Sequence, residues 1–182
     1  MTAAEGRAKK IPRKVTAAYL EKAALAYLER FASSAENLRR VLKRKVDKRC
    51  RLRGEDPAEF AEMIEDVVAR SQRSGLVDDA RYAQARVASL RRRGGSARMI
   101  QAKLAAKGIA RSLVGDALQD EDVDDFGAAC ALARRRKIGP FRSGERRPFR
   151  EKDLAVLARA GFGFDVARRV IDAESPEDLD MD

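Results

Sequence analysis

Three groups of arginine and lysine are the side chains in this 182-residue sequence best suited to chemistry, and that chemistry is the binding of anions. Arg91–Arg93 and Arg134–Arg136 each end an apolar segment with helical spacing, and a third group gathers on one helical face earlier in the chain. One or two cations suffice to offset the dipole at a helix C-terminus, so runs of three indicate a binding role. The candidate contact residues are Arg40, Lys43, Arg44, Arg91, Arg92, Arg93, Arg134, Arg135 and Arg136.

Side chains suited to catalysis are scarce. The sequence contains no histidine, which excludes Ser-His-Asp and Cys-His catalysis and removes the commonest metal ligand. Its two cysteines, Cys50 and Cys130, are far apart and have no metal-ligand motif beside them, so they predict a reducing compartment without a disulfide or a zinc site. We expect a protein that is not an enzyme.

One acidic motif resembles a metal site but is better explained as a helix start. Asp120, Asp122 and Asp124 have the spacing that begins a calcium loop, but Asp125 and Ala131 replace the glycine and the glutamate that such a loop requires. Negative charge is favourable at a helix N-terminus, which explains these acids without a metal. No phosphate-binding glycine loop of the GxxxxGK[ST] type occurs, so we expect no cofactor and no metal.

The net charge of +10 is concentrated near the N-terminus, where the first 55 residues hold 16 Lys and Arg against 6 Asp and Glu. This asymmetry predicts an acidic partner, either a phosphate backbone or an acidic protein surface. Aromatic residues make up only 5% of the chain and Trp is missing, which argues against base stacking on single strands. Because the longest apolar run is six residues, we expect a soluble, cytoplasmic protein with no membrane contact.

The elements that position these groups are predicted to be helices, because apolar residues recur at three- and four-residue steps and strand alternation is nowhere sustained. A similar apolar pattern occurs three times, with an insertion over residues 43–57 in the first copy. We therefore expect an all-α fold of nine helices in three tandem three-helix repeats that form an elongated, curved array. The expected segments are a disordered basic tail over 1–14, repeats over 15–75, 76–120 and 121–175, and an acidic tail over 176–182.

Two glycines are predicted to end helices in the same way. Gly108 precedes Ile109 and Gly161 precedes Phe162, each four residues after a leucine, which is typical of a left-handed C-terminal turn. Asp78 and Tyr82 lie at the start of the second repeat, where we expect them to hold that repeat together, with Asp78 as a helix cap.

The segment from Gly75 to Ala83, GLVDDARYA, resembles the Gly, apolar, Leu, Asp, Asp, x, Arg, aromatic, Ala segment of the RecX family, which are small regulators of the RecA recombinase. Three further stretches strengthen the resemblance, which covers residues 16 to 173: Gly94–Leu104, Gly108-Ile109, and Ala160-Gly161-Phe162 with Val170-Ile171. The longer first repeat departs from the family pattern.

The resemblance implies a non-enzymatic, monomeric modulator that lies in the groove of the RecA filament on DNA. Such a protein would inhibit filament extension and the ATPase, strand-exchange and coprotease activities of RecA. It would meet DNA weakly or through the filament. Two alternatives remain open from the residues alone: a helical DNA-binding protein acting by itself through its basic faces, and a scaffold that joins proteins on a concave surface.

Overall fold

The computed structural model describes residues 11–122 and 124–179, and over these residues it confirms the all-α prediction, with nine α-helices and no strand. The helices are α1 (Ala17–Leu28), α2 (Ala35–Arg53), α3 (Ala61–Arg73), α4 (Asp79–Arg92), α5 (Ala97–Ala105), α6 (Arg111–Gln119), α7 (Asp125–Arg136), α8 (Arg150–Arg159) and α9 (Phe164–Ile171). Short 3₁₀ turns occupy Pro57–Phe60, Gly139–Phe141, Arg147–Phe149 and Glu177–Leu179. Most of the predicted N-terminal tail and the last three residues lie outside the described residues.

The chain divides into two compact units between Asp78 and Asp79. The first unit buries one apolar cluster from α1, α2 and α3, in which Leu20, Leu38 and Leu42 have no exposed surface. Full burial of such a side chain stabilises the fold by about 1.5–3 kcal/mol. Val77, which follows α3, packs in the same cluster.

The second unit contains two further clusters. One is formed by α4, α5 and α6 around Val87, Ile100 and Leu104, and the other by α7, α8 and α9 around Leu157 and Val170. Each consecutive triplet of helices thus has an apolar core of its own.

The insertion in the first triplet lengthens a helix. α2 has 19 residues, whereas α5 and α8 have 9 and 10, and its C-cap is Gly54, whose φ is +71°. Arg49 and Arg53 in the added turns donate hydrogen bonds of 2.8 and 2.9 Å to the carbonyl oxygens of Arg13 and Pro12. The added length therefore fixes the segment that precedes α1.

Helix ends follow the local chemistry of the sequence. Ser34, Ser96 and Asp124 are N-caps whose side-chain oxygens accept a hydrogen bond from the backbone N–H three residues later. Gly108 and Gly161 have φ values of +74° and +92°. The N–H groups of Ile109 and Phe162 reach back five residues, to the carbonyl oxygens of Leu104 and Leu157, at 3.1 and 3.2 Å. This is the C-terminal turn that the repeated glycines predict.

Candidate anion-binding cleft

The three consecutive arginines at the end of α4 have different environments. Arg91 is buried, and its guanidinium Nη1 pairs with Asp125 Oδ1 and donates to the Gly95 carbonyl oxygen at 3.1 Å. The side chain of Arg91 is only 5% exposed, so the expectation that it contacts a partner is corrected: it is a structural residue. Arg92 and Arg93 are exposed.

The Arg91–Asp125 pair is part of a polar seam between the two halves of the second unit. Asp125 Oδ1 also accepts a hydrogen bond of 2.8 Å from the N–H of Ala97, at the first turn of α5. Ser96 Oγ donates to the Ala160 carbonyl oxygen at 2.7 Å, across 64 residues of sequence. These bonds hold the turn between α4 and α5 against α7 and α8.

The close contact between this turn and α7 requires a glycine at position 94. Gly94 has a φ of +75°, and a Cβ atom there would lie 2.7 Å from the backbone nitrogen of Leu132 and 2.8 Å from the carbonyl oxygen of Ala128. No side chain fits between the turn and α7 at that separation. Gly94 therefore sets how closely α7 approaches the C-terminus of α4.

A cleft of about 500 Å³ opens beside the seam. Its lining consists of five cations, two turn glycines and five apolar residues: Arg93, Lys103, Arg135, Arg136, Arg159, Gly94, Gly95, Leu90, Met99, Leu132, Val156 and Ala160. Each of the five cations is exposed, and no Asp or Glu is among the described residues that line the cleft. The cleft is thus concave, positively charged and floored by apolar side chains.

The cleft cations have no carboxylate partner within ion-pair distance in the described part of the chain. Across residues 11–122 and 124–179, none of the five forms an ion pair. Like charges gathered in one concavity repel each other, which disfavours the folded state slightly and favours the binding of an anion.

The structure brings together only part of the residues predicted to bind. Arg93, Arg135 and Arg136 line the cleft, whereas Arg92 is exposed outside its lining and the guanidinium of Arg134 lies 5.2 Å from the centre of the Phe141 ring. Sequence reasoning missed Lys103 and Arg159, which are isolated cations on α5 and α8. Neither belongs to a basic run, so no local signal marked them.

The remaining predicted residues belong to α2 of the first unit. Arg40 is exposed and pairs with Glu36 at 2.7 Å, while Lys43 and Arg44 are exposed on the following turn. The adjacent Arg39 holds Glu36 and Glu65, and its hydrogen bonds lower the pKa of both carboxyl groups. Those contacts join α2 to α3 and leave Lys43 and Arg44 exposed to solvent.

Two residues predicted to be structural lie around the division between the units. Asp78 is exposed as the last residue of the first unit. Tyr82 is half-buried on α4 and packs against the apolar cluster of α4, α5 and α6. The described part of the chain contains no helix with the length and apolar character needed to span a membrane.

Comparison with known proteins decides the family. Residues 78–118 match the family model described as RecX, second three-helix domain. The regulatory protein RecX of Myxococcus xanthus is 43% identical over 171 residues, which covers 92% of this chain and 91% of that protein. This chain belongs to the RecX family. The regulatory protein RecX of Agrobacterium fabrum is 34% identical over 126 residues, covering 69% of this chain and 67% of that protein.

Solved structures support the RecX fold. The crystal structure of RecX from Lactobacillus salivarius matches with a TM-score of 0.61 at 21% identity, covering 91% of this chain and 97% of that one. A second crystal structure of regulatory protein RecX also matches with a TM-score of 0.61 and covers 86% of this chain. The segment matched by the RecX family model coincides with α4, α5 and α6, and it includes two cations of the cleft, Lys103 on α5 and Arg93 in the turn after α4.

Proposed function

We propose that this RecX-family protein binds the RecA filament on DNA as a cytoplasmic monomer. It would inhibit filament extension and the ATPase, strand-exchange and coprotease activities of RecA. It would act by binding alone, without catalysing a reaction. The observation that carries the proposal is membership of a family of regulatory proteins together with the acid-free basic cleft.

The distribution of cations supports a large, composite partner. The second unit presents Arg93, Arg135 and Arg159 around a concavity, and the first unit presents Lys43 and Arg44 on a helix surface. A filament of protein on nucleic acid offers both carboxylates and phosphates, and arginine binds either group with paired hydrogen bonds.

Independent DNA binding is the second candidate, and the exposed cations of α2 favour it. Lys43, Arg44 and Lys48 point to solvent from one long helix, as phosphate-contacting side chains do. Such a protein would block RecA only by covering the DNA.

The test is the ATPase of RecA on single-stranded DNA, measured with this protein at concentrations too low to coat the strand. We expect inhibition, and we expect replacement of Arg93, Arg135 and Arg136 by Ala to weaken it by at least about tenfold, since each charge-assisted contact contributes about 1.5–3 kcal/mol. A matched variant with Arg86, Arg111 and Arg147 replaced by Ala loses the same charge outside the cleft and should inhibit normally. Inhibition that appears only at DNA-coating concentrations would favour the second candidate.

A further inference from the structure

The floor of the cleft is formed by apolar side chains, which a simple anion would not need. Leu90 and Leu132 are buried at its base, while Met99, Val156 and Ala160 keep part of their surface exposed. A phosphodiester backbone carries a charge on every phosphate, and protein surfaces that bind it are polar, so this apolar surface matches it poorly. Aromatic side chains for base stacking are missing from the described lining, so a nucleobase has no ring to stack on.

Four arginines form the rim of the cleft. Arg93 extends from the end of α4, Arg135 and Arg136 from the last turn of α7, and Arg159 from the last turn of α8. Arg is enriched at protein interfaces, where cations surround an apolar core, and Met is a common adaptable contact for a partner's apolar side chain. The combination matches a carboxylate-bearing segment that also carries an apolar anchor.

The cleft is also built in advance. The Arg91–Asp125 pair, the Ser96–Ala160 hydrogen bond and the close approach of Gly94 to α7 fix its walls without a ligand. A preformed site loses little conformational entropy on binding, so a short segment can bind there specifically. Its volume, about 500 Å³, lies within the range of pockets that enclose several side-chain groups and exceeds what one phosphate fills.

We propose that this cleft binds an acidic protein segment whose carboxylates pair with Arg93, Arg135 and Arg159 and whose apolar side chain covers Met99 and Val156. Assignment of that segment to RecA rests on the proposed function. The chemistry of the segment that the site binds does not depend on the proposed function, because it follows from the residues that line the cleft. The proposal separates the cleft, which would meet protein, from Lys43 and Arg44 on α2, which remain available for phosphate.

The probe is a fluorescein-labelled peptide with four glutamates on each side of one leucine, titrated against the full chain by fluorescence anisotropy. A second peptide carries serine in place of the leucine. We expect the leucine peptide to bind at least about fivefold more tightly, because its leucine removes apolar surface from water in the cleft and a serine does not. Equal affinity of the two peptides would overturn the proposal.

Variants locate the site. Arg93→Gln, Arg135→Gln and Arg159→Gln together should lower peptide affinity by at least about tenfold, and the charge-matched Arg86→Gln, Arg111→Gln and Arg147→Gln variant should bind normally. Val156→Gln, at a half-exposed position, should erase the difference between the two peptides and keeps the test valid if the triple variant does not fold. Binding unchanged by both Arg93→Gln/Arg135→Gln/Arg159→Gln and Val156→Gln would overturn the proposal.

Two further measurements separate this inference from its competitors. An oligothymidine strand with the same charge as the leucine peptide should not displace that peptide. Displacement of the peptide by the strand, together with loss of DNA binding in the Arg93→Gln/Arg135→Gln/Arg159→Gln variant, would show that the cleft binds nucleic acid and would overturn the proposal. Peptide binding in the cleft without any effect of the protein on RecA would uphold the site and refute the proposed function. Inhibition of RecA without peptide binding would refute the peptide site and uphold the proposed function.

Discussion

Consecutive arginines on a helix point in different directions, because each residue turns by about 100° around the helix axis. That rotation directs Arg91 towards Asp125 and leaves Arg92 in solvent, and Arg93, in the turn after α4, is also exposed. In the sequence the three residues are chemically identical, and nothing near them indicates that Arg91 would pair with a carboxylate 34 residues later. The basic run was therefore predictable from the sequence, but the division of roles within it was not.

Arg91→Ala should destabilise the protein by about 1.5–3 kcal/mol, because the substitution removes charged hydrogen bonds and leaves Asp125 without its cation. Asp125 is 34% exposed, so water offsets part of the loss. Urea unfolding of the variant measures the difference. Arg92→Ala, one residue later and exposed, should lie within about 0.5 kcal/mol of the parent. Equal stability of the two variants would show that the buried pair contributes nothing.

Cys50 and Cys130 should differ in reactivity. Cys50 has no exposed surface, and burial, followed by the charge of nearby carboxylates, raises the pKa of its thiol, so both access and thiolate formation are suppressed. In a Cys130→Ser variant, the remaining thiol should react with a disulfide reagent only as fast as the protein unfolds. Prompt labelling of that variant under native conditions would contradict the burial of Cys50.

Contacts between elements depend on a small number of side chains. Arg39 on α2 donates to Glu65 Oε1 and Oε2 on α3 at 2.6 and 2.8 Å, and to Glu36 Oε2 at 2.5 Å. The hydrogen bond from Arg39 is the largest cause that lowers the pKa of each glutamate. A carboxyl group whose pKa is lower in the folded state stabilises that state above the unfolded pKa, and this contribution is lost as pH falls through the folded pKa.

Arg39→Gln should lower stability at neutral pH by about 0.5–1 kcal/mol, a modest value because the pair is partly exposed to solvent. The difference between variant and parent should shrink as pH falls from the unfolded glutamate pKa, about 4.3, through the lower pKa of the two glutamates in the folded state. Denaturant midpoints at neutral and acid pH measure this. Arg44→Gln, on the exposed face of α2, is the control and should show no such pH dependence. A difference that is constant with pH would exclude the glutamates as its cause.

Turn glycines could be predicted because their geometry is local. The hydrogen bond from the N–H of Phe162 to the carbonyl oxygen of Leu157 spans five residues, and the bond from Ile109 to Leu104 has the same spacing. The sequence did not indicate that Gly161 also faces Ser96, since that contact joins residues from different helical triplets. Local turns follow from residue order, whereas contacts between triplets depend on packing.

Gly161→Val should destabilise the protein by at least about 1–2 kcal/mol, since its φ of +92° is unfavourable for a β-branched residue and its Cβ would lie 2.7 Å from Ser96 Oγ. Gly115→Ala, inside α6 with no heavy atom within 4 Å of the added Cβ, should change stability in the opposite direction by about 0.5–1 kcal/mol. Thermal unfolding of both variants is the measurement. The same sign for both would refute the assigned backbone conformation at Gly161.

At the scale of the whole molecule, helix periodicity and the spacing of the repeated apolar pattern were enough to predict an all-α fold, and the family came from the resemblance of Gly75–Ala83 and the later motifs to RecX. The cleft was not predictable, because Arg93, Lys103, Arg135 and Arg159 come from four helical ends or surfaces that only packing brings together. The first unit shows the same limit: the insertion over residues 43–57 was visible in the sequence, but its conformation as an extension of α2 was not.

The central claim is that the protein binds the RecA filament through protein contacts as well as phosphate contacts. It is tested most directly by comparing its affinity for bare single-stranded DNA and for a preformed RecA filament on that DNA as salt rises. With roughly five phosphate contacts, affinity for the bare strand should fall on the order of a hundredfold between about 50 and 200 mM salt. We expect the filament affinity to fall by much less, because apolar and hydrogen-bonded protein contacts release few counterions. A parallel fall for both substrates would contradict the account and leave a protein that binds DNA alone.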